Sequence, residues 1–346
     1  MSSPRMPTTT AAADSTTLSA STSGAAQPAA ETHRHVPTWL AMLVGAACGA
    51  LIAVQSRING ELGRRLDDGF TAAAISFGGG LVIMLVVFCF WRPGRTGLVR
   101  VAQGLRPNAQ GVRVLRPWMV LGGLGGALLV AAQGLTAAVL GVALFTVAIV
   151  AGQTISGLVL DRMGIGPGGR QQLTPSRLIG SGLALVAVGW AVSAHFGGEV
   201  PIWMLVLPFV AGICVGWQQA VNGRVRAVAR SAQTATLINF FVGSVALVLF
   251  ALVHNGIAGW PSSYPTDPWL YIGGAVGCVF IAVQAALVRV TGVLLLGLAT
   301  VSGQLVAALA IELAAGGQGV EPSTIAGTAL ALVAVAVASG GFARRR

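Results

Sequence analysis

QSRING, residues 55–60, and QQAVNG, residues 218–223, are two polar blocks set 163 positions apart in an otherwise apolar chain. Gln55 aligns with Gln218, Asn59 with Asn222 and Gly60 with Gly223. The register continues through Thr71/Thr234, Ala72/Ala235, Ile75/Ile238, Phe77/Phe240 and Gly80/Gly243. At an offset of 151, PWMVLGGLGG (117–126) matches PWLYIGGAVG (268–277). That match runs on through Gln133/Gln284, Gly141/Gly292 and Gly152-Gln153/Gly303-Gln304. Fifteen of the thirty-seven positions from 117 to 153 are identical, well above what even this biased composition gives by chance. Similarity over such a length marks a duplicated structural unit.

The unit is built for lipid. Of 346 residues, 55% are hydrophobic and only 9% charged, against roughly 25% charged in soluble domains. Ten apolar runs of bilayer-crossing length occupy approximately 39–58, 70–90, 117–138, 141–160, 176–194, 201–221, 233–253, 268–289, 292–313 and 323–342. Lipid cannot satisfy an open backbone and no alternating barrel strands occur, so the runs are read as helices. The expected fold is therefore an all-α polytopic membrane protein of ten transmembrane helices. Links at 139–140 and 290–291 require tight antiparallel hairpins, and Asn59-Gly60 and Asn222-Gly223 are suited to end their helices.

Residues 1–37 are rich in Ala, Ser and Thr and are expected to be a disordered tail. They lack the apolar core of a signal peptide, so the first span is expected to direct membrane insertion. Residues 38–195 make the first five-helix repeat, 196–343 the second, and 344–346 a basic end.

Orientation follows from arginine, the only basic side chain besides histidine in a chain of formal net charge +11. With the N-terminus in the cytoplasm, inner segments carry Arg34, the six Arg of 92–116, Arg162, Arg170, Arg177, Arg224, Arg226, Arg230, Arg289 and Arg344–Arg346. Outer segments carry only Arg57, Arg64 and Arg65, beside Glu61, Asp67 and Asp68. This asymmetry places both termini in the cytoplasm and explains the charge without a nucleic-acid partner. Five spans per unit is an odd number, so the second repeat sits inverted relative to the first. Inverted repeats that rock about a shared site are the architecture of many secondary transporters.

The pattern Q-x-x-x-N-G, a following A-x-x-I-x-F-x-x-G run, GG-x-x-G, and GVALF…AGQ (141–153) resembles the YdcZ-type branch of the drug/metabolite transporter superfamily. The resemblance covers roughly 38–342, with SGQ (302–304) and LLLGLA departing slightly in the second half. It implies two fused five-helix units, a compact ten-helix fold and an inner-membrane carrier of small molecules, with export favoured.

Carboxamides are the candidate path-lining groups: Gln55/Gln218, Gln133/Gln284, Gln153/Gln304 and Asn239. An unpartnered amide in hydrocarbon costs several kcal/mol, so these side chains must face the bundle interior, either as interhelical glue or along a solute path. Asp161 and Glu312, at matching span ends, are candidates for coupling or for solvated caps, and Arg57 and Arg289 for gating or snorkelling. Gly122, Gly123 and Gly126, with Gly273, Gly274 and Gly277, form small-residue stripes for close helix packing; Gly45 and Gly49 read the same way. The Arg-rich loop 91–116 is expected to lie on the anionic inner leaflet. GIGPGG (164–169) follows a span rather than a strand and is read as a plain loop.

No cofactor is expected. Cys48, Cys89, Cys214 and Cys278 lie in apolar runs without metal spacing, and the four His cluster nowhere, so neither a metal site nor an enzyme is indicated. The expected partners are the bilayer and a small-molecule substrate, with a homodimer left open. The function that follows is a secondary carrier of metabolites or drug-like compounds in a bacterial-type cytoplasmic membrane; a passive channel or lipid-handling protein is the alternative.

Overall fold

The structure, a computed structural model, describes residues 37–90, 92–166, 169–170, 172–193, 201–315 and 322–343. Residues 1–36 of the expected tail and Arg344–Arg346 lie outside them, as does the side chain of Arg289. The elements run α1 (Thr38–Leu66), α2 (Gly69–Phe90), α3 (Arg92–Leu105), a 3-10 turn (Pro117–Gly122) into α4 (Gly123–Ala132), a π segment (Gln133–Ala137) into α5 (Ala138–Leu140), α6 (Val142–Met163), α7 (Pro175–Ser193), α8 (Ile202–Ala229), α9 (Ala232–Ala258), a 3-10 turn (Pro268–Tyr271) into α10 (Gly273–Ala314), and α11 (Pro322–Ala343). No strand occurs among the described residues. Among the described residues, seven segments are long and apolar enough to cross a membrane, and shorter apolar stretches at Leu178–Ala187, Gly273–Leu287 and Ile325–Ala334 occupy the remaining expected spans.

One expectation is corrected. Asn59-Gly60 and Asn222-Gly223 do not end their helices, which run on to Leu66 and Ala229. The true C-caps are the repeat-mates Asp67 and Arg230, both left-handed with φ 52° and 54°. Gly60 stays helical because it is needed for packing: a Cβ there would press on Ala137 and the Ala138 amide. Asn59 stays helical because its amide is spent on another helix, as described below.

The two short links behave alike although they look different. Gly141 breaks the first with φ +77°, a conformation that favours glycine. α10 is helical from Gly273 to Ala314, yet Gln284 Nε2 lies 3.5 Å from Thr300 Oγ1. Sixteen residues of straight helix would separate them by about 24 Å, so the chain folds back between them. α1 shows both limbs: Gly277 meets Gln55 and Gly273 meets Asn59, running antiparallel, while Leu296 meets Gly45 and Thr300 meets Gly49, running parallel.

α8 repeats this arrangement against the first half. Gly126 meets Gln218 and Gly122 meets Asn222, antiparallel; Gly152 meets Phe209 and Ser156 meets Gly216, parallel. Each repeat thus lends its first helix to the other repeat's hairpin. The exchange is reciprocal in atomic detail. A Cβ on Gly123 would overlap the backbone of Asn239 and Gly243, and one on Gly274 would overlap that of Ser76 and Gly80. Gly49 abuts Thr300 as Gly212 abuts Ile149, and Gly80 abuts Phe240 as Gly243 abuts Phe77. Reciprocal contacts of this kind define a pseudo-two-fold axis, and Phe77 and Phe240 meet near it with ring centroids 4.9 Å apart.

The Arg-rich 91–116 segment contains α3, not only loop. Val101 of α3 and Leu115 bury against Val225, Ala229 and Ala235, while Arg100 donates to the Ala229 carbonyl at the end of α8 (3.2 Å). At the other end of the bundle, Glu61 accepts from Arg64 (2.6 Å) and Arg65 (2.7 Å), and Arg65 reaches Asp267 (2.5 Å).

Candidate functional site

The six candidate glutamines and Asn239 are buried, as the cost of an amide in lipid demands. What they do differs between the two ends of the bundle. At the Asn59 end, the Gln133 Oε1 accepts from Asn59 Nδ2 (2.7 Å) and Gln133 Nε2 donates to Ser56 Oγ (2.9 Å). Ser56, Asn59 and Gln133 are all fully buried, at 0% exposure. Gln133 sits at the start of the π segment, where one extra residue per turn re-aims the side chain. Gly134, its neighbour, packs backbone to backbone against Gly63 and Gly69. This polar layer is closed.

At the Asn222 end the repeat-mates Gln219, Asn222 and Gln284 are parted. Asn222 Nδ2 donates to Asn239 Oδ1 (2.9 Å), which also accepts from Gln218 Nε2 (2.8 Å). Gln284 keeps only the long contact to Thr300, and the Gln219 side chain makes no hydrogen bond among the described residues. The repeat-mate of Asn239 is Ser76, whose side chain is too short to draw Asn59 away. Gln55, the mate of Gln218, instead donates to the Gly273 carbonyl (2.7 Å), leaving its Oε1 buried without a partner. Asn239 is therefore what holds the second layer apart.

A cleft occupies the space so created. It runs from the Phe77–Phe240 contact toward Asn222 and Gly223, past Gln55, Gln218, Gln219 and Gln284. About 50 Å³ is open to the centres of water molecules, room for about four of them. Its walls are otherwise apolar, including Leu129, Phe280 and Leu296, and no ionisable side chain lines it among the described residues. On the far side of the closed layer lies a separate polar recess of about 210 Å³, lined by Ser56, Arg57, Glu61 and Arg64. Ser56 is its floor.

The remaining candidates fall elsewhere. Gln153 and Asp161 line a second cavity of about 60 Å³ between α6, α7, α8 and α10, which Gln219 also borders. Gln153 Nε2 and both amide atoms of Gln304 are buried without partners. Glu312 accepts from the Val142 amide (2.9 Å), so it caps α6 from across the repeat boundary, not as a solvated span end. The glycine stripes are packing surfaces, each Cα facing backbone or amide of the opposite repeat. Among the described residues no cluster of His, Cys, Asp or Glu could hold a metal.

Ser56, Ser76, Gln219 and Thr300 were not singled out from sequence. Each stands where repeat-mates differ: Ser56/Gln219, Ser76/Asn239 and Ile149/Thr300. A search for identity passes over such positions; a search for polar mismatch within the matched blocks finds them.

The family model described as "Putative inner membrane exporter, YdcZ" matches the chain twice, over residues 40–191 and 203–337. The chain belongs to the YdcZ family. Its two matches coincide with the two repeats that pack reciprocally in the structure, and with the apolar helices they make it a multi-pass membrane protein of an exporter family. No curated protein matches the chain. A solved chain described only as "Crystal structure of protein" shares the fold, with 21% identity and a TM-score of 0.52 over 89% of this chain and 98% of its own.

Proposed function

We propose that this member of the YdcZ family exports small molecules across the cytoplasmic membrane by alternating access, with ten crossings, both termini in the cytoplasm and the two repeats inverted. The observation that carries the reading is the unequal state of two repeat-related polar layers. One is closed and the other is parted around a cleft, with the pseudo-two-fold axis between them. In an inverted-repeat carrier, exchanging the two repeats' conformations moves the opening from one side to the other. The arginine distribution puts the Asn222 end in the cytoplasm, so this is the inward-open arrangement, with Ser56–Asn59–Gln133 as the outer seal.

Cysteine accessibility tests the sidedness. With Ala285→Cys, a membrane-impermeant maleimide is expected to label position 285 in inverted vesicles and not in intact cells. Labelling from outside alone would reverse the orientation. Once metabolite profiling of deletion and overexpression strains supplies a substrate, counterflow in proteoliposomes completes the test: unlabelled substrate on the opposite side accelerates a carrier and leaves a passive channel unaffected.

A further inference from the structure

The closed layer shows what the parted one lacks. Around Gln133, one acceptor and one donor face the amide, Ser56 Oγ taking from Nε2 and Asn59 Nδ2 giving to Oε1. Gln133 is thus satisfied by the protein's own groups, side by side. Around Gln284, the same two places are vacated: Asn222 has turned to Asn239, and Gln219 lies beside the cleft without a hydrogen bond among the described residues. No described group donates to Gln284 Oε1, and its Nε2 has only the 3.5 Å contact to Thr300. Gln284 is 8% exposed, and a buried amide left so poorly matched is costly unless something else completes it.

We propose that Gln219, Asn222 and Gln284 form the solute-binding layer, and that it takes an uncharged solute presenting a hydrogen-bond donor and an acceptor side by side, as a primary amide does. This rests on the carrier reading above and names the substrate class of the same cleft. The solute's acceptor takes from Gln284 Nε2 and its donor gives to Gln284 Oε1, reproducing the pattern that Ser56 and Asn59 supply at the sealed end. The rest of the solute is apolar and small, because Phe280, Ile281 and Leu296 complete the wall. Charge is disfavoured, since among the described residues no ionisable group lines the cleft to offset a charged solute's desolvation. The same amide then serves two purposes in turn: it holds solute when parted and seals the membrane when closed on Asn222.

Benzamide, benzoate and benzamidinium share one shape and differ at this edge: donor plus acceptor, two acceptors, two donors. The full-length Ala285→Cys protein in detergent is treated with N-ethylmaleimide, and labelling at position 285 is read by mass spectrometry, with Ile281→Cys as a second reporter. Benzamide is expected to slow labelling several-fold, and the two ions at equal concentration to leave it unchanged. Gln284→Leu removes the protection. Gln284→Glu moves it from benzamide to benzamidinium, a switch that a merely structural glutamine would not produce. Equal protection by benzoate or benzamidinium in the unsubstituted layer, or protection by none of the three, overturns the solute class. If neither reporter reacts with maleimide at all, the cleft is closed to water and the carrier reading fails with it.

Discussion

The layer at the Asn59 end and the layer at the Asn222 end are built from repeat-mates, yet one is closed and the other is parted. Two substitutions account for the difference. Asn239 stands where its mate is Ser76, and its Oδ1 gathers both Gln218 and Asn222. Ser56 stands where its mate is Gln219, short enough to tuck under Gln133 at 2.9 Å. The glycine surfaces beneath both layers, by contrast, are alike on the two sides of the axis. Duplication has kept the packing symmetric and let the polar layers diverge, so the symmetric parts set the frame and the asymmetric parts choose which end is open.

The symmetric frame can be broken first, and there the effects are largest. Gly123→Ala and Gly274→Ala each place a Cβ on opposing backbone, and overpacking of this kind costs about 1–3 kcal/mol. Both should lower the thermal unfolding midpoint in detergent by similar amounts, because they are mates. Gly78→Ala, with open space around its Cβ position, should leave it unchanged. Unequal losses from Gly123→Ala and Gly274→Ala would mean that the frame is not shared equally.

The closed layer comes next. Gln133→Leu strands Asn59 Nδ2 without a partner and leaves Ser56 Oγ only the bond it donates to the Ile52 carbonyl (2.9 Å), and an unsatisfied buried group costs about 1–3 kcal/mol. Position 56, tested as Ser56→Cys, should then become reactive to maleimide. Gln284→Leu gives up only a 3.5 Å contact and should destabilise less. If the two leucine variants are equally unstable, the layers are not in different states.

Much of this was legible in the sequence, and the reason is physical. The repeat could be read because its matched glycines sit at close approaches between the repeats: Gly123 and Gly274 face opposing backbone, while Gly122, Gly126 and their mates face the buried amides of Asn222, Gln218, Asn59 and Gln55. The burial of the glutamines could be read because hydrocarbon tolerates no lone amide. The helix ends could not, because Asn59-Gly60 carries the local signature of a cap while its tertiary partners, Gln133 and Ala137, hold it inside α1. Nor could the division of labour among the glutamines, since a hydrogen bond between Gln133 and Ser56 spans 77 positions and leaves no local trace.

Asn239 offers a finer way to sharpen the contrast. Asn239→Ser gives the second layer its mate's residue, releasing Asn222 and Gln218 at a net cost of about 1 kcal/mol for lost hydrogen bonds. Asn222 is then free to swing onto Gln284, and maleimide labelling at position 285 should slow. Ser76→Asn is the converse change: it competes for Asn59 and should raise reactivity at position 56.

The smallest effect belongs to Glu312, which ties the closed end together from the helix termini. Its carboxylate accepts from the Val142 amide at the start of α6, just past the Gly141 break. A negative charge at a helix N-terminus contributes about 0.3–1 kcal/mol, and Glu312→Gln keeps an acceptor in place while removing that charge. A midpoint shift of one or two degrees is expected, with no change in labelling at position 56, because the Ser56–Asn59–Gln133 bonds do not pass through Glu312. If Glu312→Gln opens position 56 to maleimide while leaving stability intact, the cap at α6 belongs to the gate and not merely to its frame, and the closed layer extends from Gln133 across the repeat boundary to the end of α10.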